Sequence, residues 1–242
     1  MEKEPLGLES PILLDKEVVF SEIKKFYKET DWNKIWLDEK DYLQRIVKEV
    51  KYKLPILAKM KEFDTERFNQ EKDLHISDQD WGYCAELLEE EENHPSGFLE
   101  IAALLKTIDP VQFDQKIKIS DKLWTDIINK IEEMRSFPHV FADLYAAASK
   151  LNAKRVKEQI KIDKKYWEEI KKEVLKNIIM FQDGARIKDL LTILPEGYSK
   201  IKVSPHTWHI LKSTILRGIC RTEFISENLL FKAANDIKEL AR

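Results

Sequence analysis

One short motif recurs five times along this chain of 242 residues. An apolar residue is followed by Ser or Asp, and an aromatic residue lies four positions after that polar residue. The five examples are Leu37-Asp38 with Tyr42, Ile76-Ser77 with Trp81, Ile119-Ser120 with Trp124, Ile162-Asp163 with Trp167, and Val203-Ser204 with Trp208. Successive aromatics are 39, 43, 43 and 41 residues apart. A period of this length over five copies is typical of a protein built from stacked copies of one supersecondary unit.

The third copy shows what the motif does to the backbone. Ser120 has the side chain of a good N-cap, Ile119 precedes it, and Trp124 falls at the N4 position, which is the pattern of a hydrophobic staple. A helix A is therefore predicted to start here and to end near Arg135-Ser136, because Pro138 disfavours helical geometry at the residue before it. Its apolar stripe has helical spacing and consists of Trp124, Ile127, Ile128, Ile131 and Met134.

A helix B and a short third element follow in each copy. Helix B of the third copy has the stripe Phe141, Leu144, Tyr145, Ala148 and Leu151, matched one copy earlier by Phe98, Ile101, Ala102, Leu105 and Ile108. After it, Asp109-Pro110 combines a capping Asp with Pro at the first helical position and predicts a short helical turn. Related stretches begin at Asp64 and Asn152. Alternating residues such as Ile117-Lys118-Ile119 then predict an extended linker into the next copy.

These patterns predict an all-α fold, a right-handed α-solenoid of about five two-helix repeats with a ~42-residue period. The expected organisation is a single helical-repeat domain over 1–242, with an N-terminal capping helix in 1–30, repeats in 31–218 and a C-terminal capping helix in 219–242. The first capping helix would run from Asp15 to about Lys28, and the last helix would begin at Ser226. The two-helix unit resembles the α-solenoid class that includes HEAT, armadillo and tetratricopeptide repeats. That resemblance implies an extended scaffold whose concave face binds another macromolecule.

Composition agrees with a helical protein. Six glycines and eight prolines are too few for a turn-rich all-β fold, and the 35% of charged residues suits helices with paired surface charges. Cys84 and Cys220 have no metal-binding spacing and are expected to be reduced. The charged N-terminus is not followed by an apolar run that would form a signal peptide. A cytoplasmic protein is expected.

Sequence motifs for catalysis are missing. The chain has no GxxxxGK[ST], GxGxxG, HExxH or GxSxG pattern. His206 and His209 are spaced like a metal pair but have no third ligand nearby in sequence. The acidic run Glu89 to Glu92 is best explained as a solvated helix edge, with a basic partner as the alternative. The sequence therefore predicts a protein that is not an enzyme and that carries no cofactor and no metal.

Charge is distributed unevenly. The formal charge is −9 over residues 1–120 and +6 over 121–242. A basic segment lies between the third and fourth motifs, and we expect it to bind a partner through Lys154, Arg155, Lys157, Lys161, Lys164 and Lys165. The predicted function is a scaffold or adaptor that binds another protein; the alternative is a nucleic-acid-binding repeat protein that uses this basic half. No membrane contact is expected.

Two tryptophans lie outside the motif. Trp32 and Trp36 precede the first copy and are predicted to form either an exposed pair or part of a cap, and the sequence leaves both alternatives open. The motif tryptophans themselves are expected to pack inside the repeats, because their N4 position fixes them against the helix entry.

Overall fold

Capping residues and prolines lie at the starts of several helices in the part of the chain that the structure describes. The computed structural model describes residues 12–14, 32–45, 49–181, 193–195, 201–205 and 208. Within these ranges the protein is all-α except for one pair of three-residue strands. The helices are α1 (Trp32–Arg45), α2 (Val50–Phe63), α3 (Thr65–Gln70), α4 (Asp78–Glu90), α5 (Pro95–Ile108), α6 (Pro110–Lys116), α7 (Asp121–Glu133), α8 (Pro138–Gln159) and α9 (Lys164–Phe181). Two 3₁₀ turns occupy Lys72–Leu74 and Met134–Ser136.

The chain divides into two compact units. One contains residues 31–163, and the other contains 1–30 with 164–242. In the second unit, β1 (Ile12–Leu14) pairs antiparallel with β2 (Ile201–Val203), and α9 buries Trp167, Ile170 and Val174. The single domain over 1–242 remains a prediction. The predicted helices from Asp15 to Lys28 and from Ser226 lie outside the described residues, as do Cys220, His206 and His209.

Helix starts in the unit 31–163 are fixed by side-chain caps. The Ser77 hydroxyl accepts the Asp80 backbone N–H at 3.1 Å at the start of α4, and Ser120 accepts the Leu123 N–H at 3.1 Å at the start of α7. Each cap satisfies an N–H that has no partner within the helix. Trp81 and Trp124 follow these caps at N4 and are 2% and 5% exposed. The predicted helix starts and the burial of both tryptophans are confirmed.

The short third element is present as well. Asp64 and Asp109 cap α3 and α6 by accepting the N–H groups of Arg67 and Gln112 at 3.1 and 3.0 Å. Asn152 accepts the Arg155 N–H at 3.0 Å in the same way, although it lies inside the continuous span of α8. Its φ/ψ of −156°/86° matches the caps at Asp64 (−140°/75°) and Asp109 (−143°/89°). Helix α8 is therefore two helices, 138–151 and 153–159, joined at a capping Asn.

Three sets of helices result, and their second helices form a row. We call α1, α2 and α3 the first set, α4, α5 and α6 the second, and α7 with the two parts of α8 the third. Helix α5 packs between α2 and α8, while α4 packs on α2 and α5, and α7 packs on α5 and α8. The core of this row is apolar and closely packed around α5, where Leu99, Ala102 and Leu105 are fully buried.

The first set starts earlier than its motif predicts. The motif Leu37-Asp38 to Tyr42 predicts a helix start at Asp38, but α1 begins at Trp32 and runs through Asp38. Leu37 is 55% exposed and Tyr42 is partly exposed, whereas Trp36 is fully buried. The prediction of a first copy centred on Tyr42 was wrong, because an Asp after an apolar residue also occurs inside helices. Trp36 is the buried aromatic of helix α1.

A glycine on α4 offers a clean test of helix propensity. Gly82 is exposed, and a Cβ built on it meets nothing within 4 Å. Replacing Gly82 with alanine is expected to raise the free energy of unfolding by about 0.5–1 kcal/mol, because alanine loses less backbone entropy on folding. Urea denaturation of both proteins measures this. In the matched variant Gly97→Ala the new Cβ would meet the Glu91 carboxylate, so a smaller gain is expected there.

Candidate partner-binding surface

The predicted basic segment is divided between the two units. Lys154, Arg155 and Lys157 lie on the final part of α8, and Lys161 lies in the extended linker that follows it. Lys164 and Lys165 lie in the first turn of α9, which belongs to the other unit. These two share the α9 surface with Glu168, Glu169 and Lys172, so acidic side chains accompany them.

Arg155 is part of the structure of the third set. Its guanidinium carbon lies 5.1 Å from the Trp124 ring centroid, and its Nη2 lies 2.9 Å from the Asp121 carboxylate. The side chain is 27% exposed. In the first set Arg67 lies in the same way over Trp36, at 4.7 Å from the centroid, and forms an ion pair with Glu71. The arginine thus joins the short helix to the buried aromatic of its own set, a cation–π contact that stabilises the fold.

Lys161 also makes an internal contact. Its amine donates a hydrogen bond at 3.0 Å to the carbonyl of Lys157, in the last turn of the short helix. Lys118 makes the equivalent bond to the carbonyl of Asp114 at 2.7 Å after α6. A lysine at this point satisfies a helix-terminal carbonyl and complements the negative end of the helix dipole. Lys161 therefore has a capping role that its sequence context did not reveal.

Lys154 and Lys157 remain the outward part of the segment. The Lys154 side chain is 86% exposed and lies 4.0 Å from Glu158, at the limit of an ion pair. Lys157 is exposed. The corresponding positions carry Glu66 and Asn69 in the first set and Val111 and Asp114 in the second. A surface that is acidic or neutral in two sets becomes basic in the third.

The third set lacks an internal lysine contact that the first and second sets make. In the second set Lys106 donates to both oxygens of Asp114 at 2.5 and 2.6 Å and lies 5.6 Å from the Phe113 ring centroid. Lys61 contacts Asn69 and the Phe68 ring in the same arrangement. The third set has Ser149 in place of this lysine, and the Ser149 hydroxyl is buried without a hydrogen-bond partner. The third set instead carries a positive charge at Lys157, which is exposed.

The row of second helices exposes a different surface. Tyr52 and Pro55 on α2, Glu100 on α5 and Lys150 on α8 are exposed, and all four lie on helices of the row. Tyr52 is 62% exposed, compared with 55% for Phe137 and 40% for Tyr83. Exposed aromatic side chains are frequent anchors at protein interfaces. Sequence reasoning missed Tyr52, because it gave no bounds for a helix between the first motif and Asp64.

A polar network lies beside the buried aromatic of the first set. The Trp36 Nε1–H donates to Glu71 Oε1 at 2.8 Å, and Lys40 contacts Glu71 and lies 2.9 Å from Asp73. Burial acts to raise the pKa of Glu71, but hydrogen bonds from Lys40, Trp36 and Arg67 outweigh it and lower that pKa below its ordinary value. The hydrogen bond from Lys40 lowers the pKa of Asp73, and the same contacts raise the pKa of Lys40.

These directions predict acid sensitivity of the first set. Carboxylates with depressed pKa values stabilise the fold above their unfolded values of about 4 and lose that contribution as the pH falls through the folded values. We therefore expect the free energy of unfolding to decrease below about pH 4. In Glu71→Gln this decrease should be smaller, whereas Asp78→Asn, at a carboxylate that is 91% exposed, should follow the parent curve. Denaturant titrations between pH 2 and pH 7 measure all three, and an unchanged slope in Glu71→Gln would contradict the prediction.

A second prediction separates structure from binding within the basic segment. Arg155→Ala is expected to lower the free energy of unfolding by about 1–2 kcal/mol, since it removes the cation–π contact and the ion pair. Lys154→Ala, at a side chain that is 86% exposed, should change it by no more than about 0.5 kcal/mol. Urea denaturation of both variants tests this, and equal effects would mean that Arg155 does not stabilise the set.

Reactive and metal-binding side chains form no further candidate site among the residues that the structure describes. No group of three His, Cys, Asp or Glu side chains there has the geometry of a metal site. Cys84 is fully buried in α4, and burial raises the pKa of its thiol to about 11. A polar cleft of about 540 Å³ lies between the 92–96 turn and α7, and it is lined by residues of both charges. No helix of the described ranges has the length and apolar character that a membrane span requires.

Comparison with known proteins adds no relative. No protein-family model matches the chain, and searches of curated proteins and of solved structures gave no significant match.

Proposed function

We propose that this chain is a right-handed α-solenoid of about five helical repeats that acts as a scaffold or adaptor for another protein. The observation that carries the proposal is the row α2, α5 and α8, in which equivalent helices of successive sets pack side by side. Repeat proteins of this construction bind partners along such a row, because stacking produces a long continuous surface. The caps at Ser77 and Ser120 and the three short-helix caps support a recurring unit.

The proposal extends the unit beyond the three described sets. The Trp208 backbone N–H donates to the Ser204 carbonyl at 2.9 Å, and the backbone N–H groups of Trp81 and Trp124 donate in the same way to Ser77 and Ser120. Trp208 and Trp167 are both buried. These two sites supply the fourth and fifth copies of the proposed solenoid. The right-handed sense of the stack is part of this proposal, and a crystal structure of the protein would test it.

The binding surface we propose is the exposed side of α2, α5 and α8, with Tyr52 as its anchor, continued by Lys154 and Lys157. Buried aromatic side chains do not supply it, because Trp36, Trp81 and Trp124 are at most 5% exposed. Arg155 and Lys161 make contacts within the chain, so Lys154 and Lys157 are the residues that the final part of α8 contributes to this surface.

Site-specific photo-crosslinking tests the proposal. A photoreactive phenylalanine analogue placed at Tyr52 should form a discrete protein adduct in cells of the source organism. The matched control is the same analogue at Tyr83, a tyrosine that is 40% exposed on α4, which is not a helix of the row. Adducts from position 52 that are absent from position 83 support a protein-binding row. Equal labelling from both positions, or none, would contradict it.

Nucleic-acid binding through the basic half is the second candidate, and the outward charge of Lys154 and Lys157 favours it. Binding of this kind depends strongly on salt, because each neutralised phosphate releases counterions. Titration of labelled single-stranded RNA and duplex DNA at two salt concentrations distinguishes the candidates. Salt-dependent binding that is lost in Lys154→Glu/Lys157→Glu would favour nucleic acid over protein.

A further inference from the structure

One ion pair joins the first set directly to the third. Glu62 of α2 and Lys150 of α8 occupy the same position in their sets, two residues before the capping residue of the short helix. Their side chains meet at 3.3 Å from Nζ to Oε1. The equivalent residue of the helix between them is Thr107, which is short and whose hydroxyl donates a hydrogen bond to the Ala103 carbonyl at 2.8 Å. A small residue in the middle leaves room for the long pair above it.

The length of the pair limits how flat the row can be. Helices pack at 8–10 Å, so the outer two of three parallel helices in a flat row would be roughly 16–20 Å apart at equivalent positions. Extended Lys and Glu side chains reach roughly 6 Å to Nζ and roughly 5 Å to Oε from their Cα atoms, on bonds of ~1.5 Å. With the 3.3 Å contact, the Cα atoms of Glu62 and Lys150 are separated by no more than about 15 Å. Helices α2 and α8 therefore approach each other over this end of α5.

We propose that the Glu62–Lys150 pair shifts the row toward a more curved arrangement. In a repeat protein whose copies contact only their neighbours, curvature is the sum of independent interface angles. A contact between the first and third sets adds a restraint that acts on both interfaces at once. Since the two side chains are 25% and 35% exposed, the restraint is weak and sensitive to salt. The unit 31–163 accordingly exchanges between a curved state with the pair formed and a flatter state without it.

Distance measurement by electron paramagnetic resonance tests this in the full-length chain. Spin labels are attached at Glu66→Cys and Lys154→Cys, two exposed positions that are equivalent in the first and third sets. Cys220 is replaced by serine, and the fully buried Cys84 is retained. In Lys150→Glu the distance distribution should move to longer values. The ratio of curved to flat molecules should fall by up to about fivefold, the factor that corresponds to ~1 kcal/mol for an exposed pair.

The exchanged variant Glu62→Lys/Lys150→Glu gives the decisive comparison, because it restores the attraction with the charges reversed. It should return the distribution of the parent, and 1 M NaCl should lengthen the distance in the parent but not in Lys150→Glu. Lys122→Glu on α7 makes the same change of charge at an exposed lysine outside the row and should leave the distribution unchanged. Helical circular dichroism confirms that each variant is folded. Identical distributions in the parent and Lys150→Glu, or an exchanged variant as long as the single variant, would overturn the proposal.

Discussion

Replacing Trp124 with alanine is expected to lower the free energy of unfolding by about 3–5 kcal/mol. The ring is only 5% exposed, follows the Ser120 cap at N4, and has the Arg155 guanidinium 5.1 Å from its centroid. Alanine would leave a cavity at the entry of α7 and would remove the aromatic partner of Arg155. Urea denaturation followed by circular dichroism at 222 nm measures the difference.

Phe137 is the matched control for Trp124. It is an aromatic residue of the same set, but it is 55% exposed at the start of α8. Phe137→Ala should change the free energy of unfolding by about 0.5 kcal/mol or less. A change of that small size in Trp124→Ala instead would mean that the motif tryptophan is accessible, and the recurring aromatics would return as binding anchors.

Trp36→Ala is the second variant with a large expected effect, again about 3–5 kcal/mol. Trp36 is fully buried, donates a hydrogen bond to Glu71 at 2.8 Å and lies under the Arg67 guanidinium. Its removal opens a cavity and takes one of the donors away from Glu71. Urea denaturation of the single variant gives the magnitude, and the same titration near pH 4 shows how far the Glu71 network depends on the indole.

The control for Trp36 is the residue that the sequence motif placed in its role. Tyr42 lies on the same helix and is partly exposed, so Tyr42→Ala should cost about 1 kcal/mol. If Tyr42→Ala were the more damaging of the two, the first set would be built around Tyr42 as the motif predicts, and the assignment of Trp36 would be wrong.

The helix starts and linkers could be predicted from the sequence, because the interactions that determine them join residues only a few positions apart. A Ser that caps a helix needs only the N–H three residues ahead, and Ser77 and Ser120 make those bonds. A proline removes helical geometry from its neighbour, so α7 gives way to a 3₁₀ turn before Phe137 and Pro138. The linker at Ile117 is extended, as its alternation predicts. Such features can be placed without knowing what packs against them.

In the first set, prediction from neighbouring residues gave the wrong helix start. Asp38 after Leu37 has the residue types of a helix start, yet the helix has already begun at Trp32. What identifies Trp36 as the buried aromatic is its contact with Arg67 and Glu71, about thirty residues further along the chain. Contacts at that distance depend on the packing of three helices. No spacing within α1 encodes them.

The basic segment illustrates a related limit. Lys154, Arg155, Lys157 and Lys161 carry the same charge in the sequence, and they differ only in what each side chain meets. Arg155 meets Trp124 and Asp121, Lys161 meets a helix-terminal carbonyl, and Lys154 faces solvent. Alignment of the three sets places Lys157 at the position of Asp114 and Asn69. The internal contacts of Lys61 and Lys106, which the sequence does not show, explain why those two positions carry acceptors.

The buried thiol of Cys84 can report local unfolding of the second set. The thiol lies at the centre of α4, fully buried and with its pKa raised to about 11, so a thiol reagent can modify it only in molecules whose second set has locally unfolded. Mass spectrometry of the peptide that contains Cys84 would follow that reaction without an added label. The rate of modification, compared with the rate of global unfolding, would then tell whether the second set opens alone or together with the sets on either side.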